Sequence, residues 1–287
     1  MVTSVYLLLI ALLLAILVLV PKMYWVIGYP TVLALIGSSL AYGSVSSLIA
    51  ARRLYFLTHV APHIALLAAP ISALILGFGG FEWLLASLIV LAFMWTSGYA
   101  IHRGLDSDVV ASTLVSLTAS ATVIALYYAQ RLVGSGRVTQ LILGDPLLVT
   151  WLEGLVAFLA GLLVAVIAFS VAREVFYIGV NREMALVSGL RTWAYDFTLY
   201  TLIALTVTLM LKVTGFLVAS VLTLLPGAIG LSLSRGSYQA VIASITIALL
   251  ASTIGLLASI TFNIPPSGLT GLILVLLFIL VRVSRVV

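Results

Sequence analysis

Apolar runs close to twenty residues long follow one another along nearly the whole chain, separated by short polar breaks, and this spacing leaves few folds open. A helix needs about 20 apolar residues to cross a bilayer core. Inside hydrocarbon only a helix or a closed barrel satisfies every backbone N–H and C=O. The runs predict helices at about 2–20, 31–51, 54–77, 83–101, 108–130, 150–171, 196–212, 216–234, 239–262 and 268–283. The breaks hold residues that end helices or avoid lipid: Pro21 with Lys22, the Arg52–Arg53 pair, Gly77 to Glu82, His102 to Asp106, Gln130 to Asp145, Arg173 to Thr192, Arg235–Gly236 and Asn263 to Pro266. Charged residues make up 7% of the 287 positions, against roughly 25% in a soluble domain. The chain therefore reads as a single all-α polytopic transmembrane domain, 1–287, with nine or ten crossings.

The placement of positive charge sets an orientation. With the N-terminus in the cytoplasm, nine of the 13 basic residues face inward: Arg52, Arg53, Arg103, Arg173, Arg182, Arg191, Arg235, Arg282 and Arg285. Lys22, Arg131, Arg137 and Lys212 face outward. That bias follows the positive-inside rule; the chain is expected to be a multi-pass protein in contact with lipid, and its expected location is the plasma membrane. The net charge of +5 is scattered, with no basic run interleaved by aromatics, so nucleic acid is not an expected partner. The chain has no cysteine, which excludes disulfides, thiolate ligands and cysteine nucleophiles. Val2 to Val20 lacks a basic n-region and a small-residue cleavage site, so it is expected to stay as a helix.

The stretch Arg52–Pro70, RRLYFLTHVAPHIALLAAP, carries two of the three histidines. His59 and His63 are spaced i, i+4, which stacks both rings on one helix face with Cβ atoms about 5–6 Å apart. Pro62 between them frees the carbonyl of Thr58 from its helical partner. Ionisable side chains and freed carbonyls in a membrane helix usually face a bundle interior or an aqueous path, so the stretch is a candidate metal or proton site. The bland alternative is a pair of histidines that bond neighbouring helices. Val60 follows His59, so the H-E-x-x-H arrangement of a zinc protease is absent. Asp145 in LILGDP and Asp196 in AYDF stand in the wrong order for an intramembrane aspartyl protease, and Asp196 reads instead as a helix N-cap. Neither a G-x-S-x-G elbow nor a Walker A loop is present, so the chain is not expected to be an enzyme. Gly37, Ser38, Ser39, Gly43, Ser44, Ser46 and Ser47 suit close helix packing better than a polar path. Val180, Met184 and Val187 recur at helical spacing in a charged segment, which suits a short amphipathic helix lying on lipid or docking to a soluble partner.

Five collinear stretches between about residues 35 and 283 resemble the ABC-3 family, the membrane permeases of ATP-binding-cassette importers for zinc, manganese or iron. RRLYFLTHVAPHIALLA aligns with the family's arginine-flanked segment and puts His63 on the family histidine. His59 replaces an aspartate, and Pro62 an alanine. RGLDSDVVASTLVSL places a family aspartate on Asp108, and ILGDPLLVT matches at Gly144 and Asp145. NREMALVSG keeps Glu183, Ala185 and Gly189 of a D-P-E-x-A-x-x-x-G pattern, with Asn181 for the aspartate. TGFLVASVLTLLPGAIG keeps Gly215, Ser220 and Pro226.

The resemblance implies an importer permease of the metal and vitamin B12 type. It would work as a homodimer with cytoplasmic ATP-binding subunits, which hydrolyse the ATP, and an extracellular substrate-binding protein. It would bind no cofactor and would pass a divalent metal ion; the His59 replacement leaves the family's metal open and shifts the expected ion away from manganese toward zinc. With the histidine spacing and the freed Thr58 carbonyl, the expected roles are metal contact for His59 and His63, the translocation path for Thr58 and Asp108, and contact with the ATPase for Glu183, Ala185 and Gly189. A competing expectation from the residues alone is a secondary or proton-coupled carrier with His59 and His63 as its relay.

Overall fold

A computed structural model describes residues 27–77, 82–133 and 142–286, and the expected first helix at 2–20 lies outside them. The described helices are α1 (Tyr29–Arg52), α2 (Tyr55–Leu76), α3 (Glu82–His102), α4 (Ser107–Val133), α5 (Trp151–Val180), α6 (Arg182–Val187), α7 (Thr192–Leu233), α8 (Ser237–Phe262) and α9 (Pro266–Val286), with a 3-10 turn at Pro146–Leu148. No strand occurs among the described residues. Eight of the helices are long and apolar enough to cross a membrane, so the chain is a multi-pass membrane protein.

The 42-residue α7 is two crossings. Run straight it would measure about 63 Å, twice the roughly 30 Å of hydrocarbon. Gly215 breaks it with φ 73° and ψ 162°. Its contacts with α1 record the reversal: Asp196 pairs with Arg52 at the end of α1, Thr214 meets Tyr42 in the middle of α1, and the Gly227 N–H donates to Ser46 Oγ, back toward the starting end. The separate helices expected at 196–212 and 216–234 are these two halves. The left-handed backbone favours glycine at Gly215, and so does space, because a Cβ there would collide with the backbone of Leu143 and Gly144.

Two expectations need correction. The helix placed at 150–171 runs on to Val180, past Arg173 and Glu174. Thr150 and Glu153 start it with a reciprocal capping box, and Asn181 ends it while its side chain caps α6. Charged residues are no obstacle to a helix that has left the hydrocarbon. The second correction is Asp196, which lies inside α7 beyond its start at Thr192 and caps nothing.

Most of α1, α2, α7 and α8 is buried, whereas α3, α4, α5 and α9 turn most of their surface outward. Helix α1 packs against α5, α7 and α8 at once, and its small residues allow that approach. A Cβ at Gly37 would strike the Ala157 carbonyl of α5, and one at Gly161 would strike the Gly37 carbonyl. The buried serines turn inward: Ser44 and Ser47 donate to the carbonyls of Leu40 and Ser44 at 2.7 Å. The small residues of this helix thus serve packing.

Candidate functional site

The turn from α1 to α2 is tight. Arg53 takes a left-handed conformation, φ 55°, and its N–H returns to the carbonyls of α1. Helix α2 then begins at Tyr55, which puts His59 and His63 one and two turns inside that end. Both rings are half-buried. Their centroids are 5.4 Å apart at an interplanar angle of 71°. An ion about 2.0–2.1 Å from one nitrogen of each ring, in tetrahedral geometry, sets ring centres roughly 5 Å apart. The pair therefore has the spacing to hold one ion between them, once the free nitrogens face each other. Phe216 also meets His63 edge to face, centroids 4.8 Å apart, just past the Gly215 bend.

The remaining expected path residues are placed differently. Thr58 is fully buried, and its hydroxyl donates to the Leu54 carbonyl at 2.7 Å, so its side chain is satisfied within α2. Asp108 is exposed in the first turn of α4, where its N–H donates to Asp106 Oδ1 at 2.8 Å. Among the described residues no third His, Asp or Glu joins the histidines in a metal-holding group. Asp108 thus stands apart from the pair, although α4 packs along α2. His102 is exposed at the end of α3.

At the end of the bundle that carries Arg52, α6 stands out from the protein. Every residue of it is exposed except Ala185, which is fully buried and ties it to its own chain. Glu183, Met184 and Val187 face outward, and Gly189 follows with φ 82° and no atom within 4 Å of a Cβ built there. Backbone conformation, and no close contact within the chain, explains that glycine. The spacing of Val180, Met184 and Val187 foretold one amphipathic helix. The chain breaks at Asn181 instead, so Val180 ends α5 while Met184 and Val187 ride on α6. A groove of about 730 Å³ beside it is lined by Arg173, Tyr177, Ser188, Leu190, Leu231 and Arg235 among others.

Sequence reasoning missed the cluster at the root of α6. Asp196 receives a hydrogen bond from Arg182 at 2.8 Å and lies 2.6 Å from Arg52, a contact that is close without being aligned as a hydrogen bond. The available signal was Asp196 itself, an acid near the start of a membrane crossing with basic residues at two neighbouring breaks.

The sequence profile of the ABC 3 transport family matches residues 25–285. A protein of Treponema pallidum (strain Nichols) described as a "Probable metal transport system membrane protein" is 29% identical over 108 residues, 38% of this chain and 41% of that relative's length. Among solved structures, PsaBC from Streptococcus pneumoniae in complex with a Fab has a chain that superposes with a TM-score of 0.77 at 16% identity, covering 88% of this chain and 89% of that one. That likeness is one of fold.

Proposed function

We propose, from the premise that the chain belongs to the ABC 3 transport family, that it is the membrane permease of an ATP-driven importer for a divalent transition-metal ion, with zinc as the ion. The carrying observation is the half-buried His59–His63 pair, 5.4 Å apart within the bundle. Imidazole nitrogens suit zinc, ferrous iron, cobalt or nickel better than manganese, which favours oxygen. Two protein ligands hold an ion loosely, which suits a site that must release it. Water, the Thr58 carbonyl or the second subunit of a homodimer completes the shell. The ion arrives from an extracellular binding protein and leaves toward the cytoplasm.

Energy comes from ATP-binding subunits that dock on α6, through Glu183, Met184, Val187 and the backbone at Gly189. Ala185 supports this surface from beneath. A carrier driven by an ion gradient is the competing reading. Proteoliposomes holding the permease with its co-expressed ATP-binding subunit, supplied with the extracellular binding protein, should take up zinc only with ATP on the side of the ATP-binding subunit. Zinc uptake by the permease alone under a proton gradient would defeat the proposal.

A further inference from the structure

The Asp196 carboxylate joins three elements. Arg52 is the last residue of α1, Arg182 the first of α6, and Asp196 itself stands in the second turn of α7. Only two residues, Arg53 and Leu54, separate Arg52 from the helix that carries His59 and His63. Apart from the Asn181 junction that joins it to α5 and caps it, the other attachments of α6 among the described residues are slight: the small Ala185 side chain and an exposed Tyr177–Ser188 hydroxyl contact at 3.2 Å. The Arg52–Asp196 pair is much stiffer. The side chains of Arg52 and Asp196 are 7% and 10% exposed, and charges removed from water hold their partners tightly because separation leaves them unpaired.

We infer that Asp196 is a positioning residue that transmits movement of α6 to the histidine helix through Arg52, and to the Phe216 bend through α7. This rests on the proposal that α6 receives the ATP-binding subunit. A push on α6 reaches the carboxylate through Arg182, a half-exposed side chain. The carboxylate is part of α7, and Arg52, whose guanidinium it grips, is the last residue before the turn into α2. The Asn181 junction and the buried Ala185 give α6 a pivot. The Arg182–Asp196–Arg52 chain turns that pivot into a lever.

The test separates the lever from the docking surface and from the fold. The assembled transporter is reconstituted as the parent and as Arg182→Ala, Arg182→Lys, Asp196→Asn and Val187→Arg. Zinc uptake, ATP hydrolysis and retention of the ATP-binding subunit are then measured on each. Arg182→Ala leaves the Arg52–Asp196 pair in place, so the permease should melt as the parent does and keep its subunit. Zinc moved per ATP hydrolysed should fall about tenfold, within the usual range of a coupling energy. Arg182→Lys should restore part of the ratio, and Asp196→Asn should lose it at least as far as Arg182→Ala. An unchanged ratio in Arg182→Ala overturns the inference, and so does a loss of uptake that tracks a lower melting temperature in every variant. Val187→Arg tests the docking reading by itself and should release the subunit. If it assembles and transports normally, α6 is not the docking helix and the inference falls with that reading.

Discussion

The two ends of the first α7 crossing handle charge differently. Near its start, Asp196 draws in two arginines from two other elements, in a pocket where its side chain is 10% exposed. Near its finish, Lys212 meets Glu153 of α5 at 2.8 Å with side chains 20% and 31% exposed, and its ammonium lies 4.3 Å above the Trp83 ring. Glu153 is also engaged by the Thr150 capping box. The first cluster is a joint and the second a rim pair whose members have other partners. Removing a member of each should therefore give unequal losses.

The largest effect is expected at the joint. Asp196→Ala leaves the Arg52 guanidinium buried without its counter-charge, which costs about 3–5 kcal/mol. Thermal unfolding in detergent should show a large fall in melting temperature, and a melting curve like the parent's would mean that the arginines find other partners. Between the two clusters, the bend can be attacked through Gly215→Ala. That change forces a side chain into a left-handed backbone and against Leu143 and Gly144, at about 1–3 kcal/mol for the strain alone. The same melting assay should place it below Asp196→Ala and above the rim pair. Lys212→Met should cost under about 1 kcal/mol, as partly exposed pairs do. A loss there equal to that of Asp196→Ala would erase the distinction between joint and rim.

The same contrast explains what could be read in advance. Apolar run length located every described crossing, including the break at Gly215, because burial in lipid acts on each run separately. The i, i+4 rule placed His59 and His63 together because one helix holds both. Contacts between elements left weaker traces. Asp196 read as an N-cap because its arginines are 144 and 14 positions away, and only the packed bundle brings them to it. Asp108 read as a path residue through resemblance alone, and in the single chain it is exposed beside Asp106 at the start of α4. Ala185 and Gly189 read together as contacts for the ATPase, and the fold divides them into a buried anchor and a backbone turn.

The central claim is that His59 and His63 hold the ion in transit, and metal uptake by the assembled transporter tests it most directly. Zinc and manganese uptake are compared for the parent, His63→Ala and His59→Asp, with ATP hydrolysis and melting temperature as controls. The account predicts a parent that prefers zinc and a stable His63→Ala variant that has lost zinc uptake. It also predicts a shift toward manganese in His59→Asp, because a carboxylate oxygen replaces a nitrogen ligand. Normal zinc uptake by His63→Ala, or a parent that prefers manganese, would contradict it.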